Sequence, residues 1–134
     1  MKLLLDTHLL IWVLTDNPTI SMKARAMIND PNNINYFSAI SVWEVAIKHM
    51  ARPDRIDFSG VRFAQRCRDA GFRPLDLSDR YVSALETLSR PDGAPPHKDP
   101  FDRMLIAQAK AEGMRFLTHD GLLSGYGEDC VVLV

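Results

Sequence analysis

Short apolar runs alternate with stretches of helical periodicity from one end of this chain to the other. Lys2-Leu3-Leu4-Leu5 is such a run, closed by Asp6-Thr7. It is continuously apolar rather than alternating, so it reads as a strand buried on both faces. Ile34 to Phe37, Phe72 to Leu77, Met114 to Thr118 and Val131 to Val134 are further strand candidates.

Helical patterns lie between them. His8 to Thr15 is apolar on every side, which predicts a helix buried all round and stopped by Asp16-Asn17-Pro18. Ile20, Ala24, Met27 and Ile28 recur at helical spacing. Ser41 is expected to open a helix whose core face is Trp43, Ala46, Ile47 and Met50. Phe63, Ala64, Cys67 and Ala70 form another stripe, with Gly71 as its stop. Tyr81, Ala84, Leu85 and Leu88 follow, capped by Ser78. After a Pro-rich loop over 89–98, Asp99-Pro100 starts a helix with Phe101, Met104, Leu105 and Ala109 inward and Gly113 at its end. Strands alternating with helices imply the α/β class, a parallel sheet covered on both faces. At 134 residues, with no internal repeat and no long linker, residues 1–134 read as a single domain.

Composition narrows the function. No apolar run approaches the ~20 residues of a membrane span. Met1 to Leu14 is broken by Asp6 and His8 and has no cleavage signal after it, so it is not read as a leader. Cys67 and Cys130 match no metal or redox spacing, which fits free thiols and a cytoplasmic location. A net charge of −1 argues against coating of nucleic acid by bulk charge alone. An enzyme gripping it through a metal and a few arginines remains possible.

The placement of the acids is the chemical signal. Asp6 ends the first strand, Glu44 lies early in the helix after the second, Asp99 and Asp102 open a late helix, and Asp120 follows a late strand. In an open parallel sheet these positions face one crevice at the carboxyl ends of the strands. Taken singly, each acid has a structural explanation. Asp6 can cap a helix, Glu44 and Lys48 can pair at four residues' spacing, Asp99 and Asp102 suit a helix N-terminus, and Asp120-Gly121 is a turn signal. Together they would repel one another in one crevice unless a cation neutralised them. An all-oxygen donor set suits Mg²⁺ or Mn²⁺ rather than zinc, and phosphodiester cleavage is the chemistry such sites perform.

Leu3-Leu4-Leu5-Asp6-Thr7-His8, Ser41-Val42-Trp43-Glu44-Val45-Ala46-Ile47-Lys48, His97 to Ala109 with Asp99-Pro100-Phe101-Asp102-Arg103, and Leu117-Thr118-His119-Asp120 resemble the motifs of the PIN-domain family, closest to VapC-like toxins. The resemblance implies a PIN-like α/β/α sandwich with a central parallel sheet of four to five strands. It implies a Mg²⁺- or Mn²⁺-dependent endoribonuclease, an RNA substrate, a homodimer and a small VapB-like antitoxin. Asp6, Glu44, Asp102 and Asp120 match the family's acidic quartet as catalytic and metal-holding residues. Thr7 and Thr118 would support the acids, and Asp99 matches a further acid or serves as a cap. Lys48, Arg52, Lys98 and Arg103 are candidate RNA contacts, and a solvated face is the plainer explanation for them. Trp12 and Trp43 are read as core residues. The antitoxin is expected to offer an arginine to the acids and to lie in an apolar groove between the helices that carry Trp12 and Met27.

Other readings fit less well. A haloacid-dehalogenase-type phosphatase needs Asp-x-Asp after its first strand, where this chain has Asp6-Thr7-His8. A Mg²⁺-dependent phosphoryl-transfer domain of receiver type needs a late-strand Lys, where this chain has Thr118-His119-Asp120. A non-catalytic PIN-fold interaction module is disfavoured by the intact quartet.

Overall fold

A computed structural model describes residues 1–90, 93 and 99–134. Five strands, β1 (Lys2–Leu5), β2 (Ile34–Ser38), β3 (Arg73–Leu75), β4 (Arg115–Thr118) and β5 (Val131–Leu133), form one sheet in the order β3-β2-β1-β4-β5. All four pairings are parallel. Among the described residues, six helices connect them: α1 (Thr7–Leu14), α2 (Met22–Asn29), α3 (Ala39–Ala51), α4 (Gly60–Asp69), α5 (Asp79–Leu85) and α6 (Pro100–Glu112). A 3₁₀ helix spans Gly121–Tyr126.

The central strand shows why its sequence is apolar throughout. Leu3 and Leu5 enter a core with Leu9, Leu10, Phe37, Phe63 and Leu117. Leu4 enters a second core with Ile40, Leu105, Ile106 and Phe116. Successive side chains alternate between faces, and helices cover both. The strand order reverses between β1 and β4, where crossovers leave in opposite directions. That junction opens a crevice at the carboxyl ends of the strands, and Asp6 and Asp120 follow those two ends.

Several helices differ from expectation. α1 buries Leu9 and Leu10, but Ile11, Trp12, Val13 and Leu14 are only half-buried. α3 starts at Ala39 because Ser38, not Ser41, caps it, accepting a hydrogen bond from Ile40 N at 3.0 Å. The face expected to be core is outward: Trp43 is 54% exposed and Met50 82%. Ile40, Ser41, Glu44 and Val45 point inward instead. Hydrophobicity misassigned that face because two of the inward residues are polar: Ser41 and Glu44 both meet the Thr7 hydroxyl, and Glu44 also pairs with Lys48. Ala70 is exposed, and Leu88 lies beyond the end of α5. At the end of α6, Gly113 adopts φ 67, a left-handed stop that favours glycine. No helix among the described residues is long and apolar enough to cross a membrane.

Candidate active site

Asp6 occupies the N-cap position of α1, yet its side chain makes no capping hydrogen bond. It is buried and accepts one from the Thr118 hydroxyl at 2.7 Å. Burial pushes its carboxyl up, the Thr118 bond and the His8 charge pull it down, and Glu44 raises it again. Thr118 in turn accepts from Asp120 N at 3.0 Å, so one hydroxyl ties together the ends of β1 and β4.

Glu44 is buried on the inner side of α3. The Thr7 hydroxyl donates to its Oε1 at 2.8 Å and meets Ser41 Oγ at 2.9 Å. Lys48 Nζ contacts its other oxygen at 2.5 Å, one helical turn on. A buried carboxylate is costly unless bonded and paired, and here it is both. Ser41 belongs to this arrangement, although the sequence pointed only to a helix start. Its position three residues before Glu44, on the same helical face, was the available signal.

Asp102 sits in the first turn of α6, and its pKa is pushed up to about 8. Burial is the main cause, followed by the charges of Asp6, Asp99, Glu44 and Asp120. The four sequence-predicted acids and Asp99 therefore share one electrostatic neighbourhood. Asp99 caps α6, its Oδ1 accepting from Phe101 N at 2.9 Å and Asp102 N at 3.2 Å. Asp120 is exposed and caps the 3₁₀ helix, accepting from Leu122 N at 2.9 Å.

The basic candidates divide. Arg103 is half-buried beside Asp102, and its charge reaches Tyr126. Lys48 is engaged by Glu44. Arg52 closes the far end of α3, about 12 Å along the axis from Glu44, and pairs with Asp54 at 3.4 Å. Lys98 lies outside the described residues. Trp43 meets Phe101 edge-on at 4.9 Å on the surface, and Trp12 meets His119 edge-on at 5.3 Å.

The donors suit a hard cation in kind: carboxylate oxygens with hydroxyl support and no sulfur. Among the described residues, no three of His, Cys, Asp and Glu lie close enough together to hold a metal ion. Mg²⁺ keeps several waters and takes few direct carboxylate ligands, so one or two of these acids would bind it directly and the others through its water shell. A cation among these acids would relieve the crowding that helps to raise Asp102.

Two cavities among the described residues lie away from the acids. One of about 550 Å³ runs between α3, α4 and β3, lined by Trp43, Ala46, Met50, Val61, Ala64 and Leu75 among others. The cavity between α1 and α2, where an apolar groove was expected, is about 220 Å³ and also presents Asp16, Arg25 and Asn29.

A family model described as the PIN domain matches residues 3–128. The chain belongs to the PIN-domain family. Solved structures share this PIN fold at low identity. VapBC2 from Rickettsia felis, bound to a DNA fragment from its promoter, gives a TM-score of 0.69 at 14% identity, covering 100% of this chain and 98% of that one. A toxin–antitoxin complex from Klebsiella pneumoniae gives 0.56 at 20%, covering 96% and 94%. FitAcB from Neisseria gonorrhoeae gives 0.53 at 20%, covering 93% of each chain. The search of curated proteins returned no match.

Proposed function

We propose that this PIN domain is a Mg²⁺- or Mn²⁺-dependent endoribonuclease and the toxin of a toxin–antitoxin pair. The observation that carries the reading is the Asp102 carboxyl, raised by burial and by four neighbouring carboxylates at the sheet's switch point. Such crowding is unfavourable in a purely structural cluster and favourable around a divalent cation.

Asp6, Glu44, Asp102 and Asp120 would hold the ion. A bound Mg²⁺ or Mn²⁺ supplies an activated water and stabilises charge on the phosphate. Thr118 fixes the direction of Asp6 by donating to its Oδ2, and Thr7 and Lys48 fix Glu44. Asp102, raised to about 8, would give up its proton when a cation binds. Arg103, on the same turn, would meet the RNA backbone. Unpaired RNA is the expected substrate, because its backbone can splay toward a crevice at the carboxyl ends of the strands.

The partner proposals are a small antitoxin and a second copy of the chain, in the cytoplasm. Their support is the toxin–antitoxin character of the structural neighbours and the apolar surface around Trp43, Met50 and Val61. Contiguous apolar surface of this kind is usually covered by protein.

Purified protein should fragment single-stranded RNA with Mn²⁺ and leave it intact with EDTA. Asp6→Asn, Glu44→Gln and Asp102→Asn should each slow cleavage by orders of magnitude. Intact RNA in the presence of Mn²⁺, after removal of any co-purified partner, would transfer the assignment to a non-catalytic interaction module.

A further inference from the structure

Two of the limbs that carry the acids are α6 and the end of β4. Asp99 and Asp102 arrive on the first turn of α6, and Asp120 arrives at the end of β4. Asp120 is exposed, and the 3₁₀ helix it caps is a form with poorer hydrogen-bond geometry than an α-helix. The Thr118 hydroxyl holds the Asp120 N–H, and the turn that follows is held from outside the helix.

Arg90 supplies that support. Its Nη2 donates to Leu122 O at 2.9 Å. Leu122 is thus held at both ends, its N–H by Asp120 and its carbonyl by Arg90. The guanidinium lies over the Tyr126 ring, 4.6 Å from its centre. It also lies so close to Gly125 that a Cβ there would stand 2.7 Å from Nη2 and 3.0 Å from Cζ. Gly125 therefore leaves the space that the guanidinium fills. Tyr126 and Leu123 are buried in the core that includes Leu105 and Ile106 of α6. Tyr126 also feels the charges of Arg103, Arg90 and Asp102. The cradle consequently lies beside the first turn of α6.

We propose that Arg90 is a positioning residue: it clamps the 3₁₀ helix so that Asp120 faces the same ion as Asp6 and Asp102. The proposal rests on the metal-site reading above. A charge-assisted bond to a carbonyl and a stacked aromatic face together fix a planar group in one orientation. Lysine can supply the bond but not the plane.

The test compares Arg90→Ala, Arg90→Lys, Gly125→Ala, Asp120→Asn and the Arg90→Ala, Asp120→Asn double variant. Amide exchange is read without metal, and Mn²⁺ affinity is read by calorimetry. Arg90→Ala should speed exchange at Leu122 and Leu123 while leaving β1 and β4 protected. It should weaken Mn²⁺ binding about tenfold or more, the range typical of residues that orient ligands. Gly125→Ala should do the same by displacing the guanidinium, and Arg90→Lys should recover part of the affinity. The double variant should bind no more weakly than Asp120→Asn alone. Wild-type affinity in Arg90→Ala, or additive losses in the double variant, overturns the clamp and leaves the metal site standing. Absence of Mn²⁺ binding by the wild type overturns the metal site and the clamp with it.

Discussion

At Asp102, burial and neighbouring carboxylates act in the same direction. The carboxyl sits near 8 in the folded protein against an ordinary 3.8. The native state therefore holds a proton that the unfolded chain releases. Its contribution to stability is complete below about pH 4 and is lost as pH rises through 8. Without metal, the melting temperature should fall between pH 5 and pH 8, and Asp102→Asn should flatten that part of the profile. A wild-type profile as flat as the variant's would show that the crevice is better solvated than its geometry indicates. Asp6, Glu44, Asp102 and Asp120 were legible as candidates because each follows a strand or opens a helix. Ser41, Arg90 and Tyr126 were not. Their roles depend on a hydroxyl, a carbonyl and a ring contributed by segments distant in sequence.

At the scale of elements, what the sequence states clearly is local and what it misstates is tertiary. Asp99-Pro100 and Gly113 bound α6 as caps dictate. α3 was read with its inside out, because Trp43, Ile47 and Met50 carry the apolar periodicity while Ser41 and Glu44 face the sheet. Helical periodicity identifies an apolar stripe without saying whether core or partner covers it. The cap of α6 gives a clean test of an acid with two explanations. Asp99 satisfies two amide donors, so Asp99→Ala should cost about 1 kcal/mol of stability. Asparagine caps equally well and carries no charge. Asp99→Asn should keep wild-type stability, shift the Asp102 pH transition downward and preserve RNA cleavage. Loss of cleavage in Asp99→Asn equal to that in Asp102→Asn would make Asp99 a ligand rather than a cap.

For the whole molecule, strand order decides what the acids can do. Composition and periodicity indicate a parallel sheet. The order β3-β2-β1-β4-β5, which puts the ends of β1 and β4 side by side, depends on pairings between strands more than a hundred residues apart. Only the match of motifs to a family made it foreseeable. Folding assembles the site, so a cation that binds only the assembled site must stabilise the whole fold. At a concentration one hundred times its dissociation constant the gain is about 2.7 kcal/mol. For a domain of this size each kcal/mol raises the melting temperature by roughly 3–5 °C, giving a shift of about 10 °C. The shift should grow from pH 6 to pH 8, because binding requires Asp102 to release its proton and an alkaline medium makes that easier. EDTA should reverse it, and the Asp6→Asn, Asp102→Asn double variant should not show it. Calorimetric scans with Mg²⁺ and Mn²⁺ at several pH values measure all of this in one series. A shift of equal size in wild type and double variant would mean that the cation binds elsewhere, and the four carboxylates would then need another explanation.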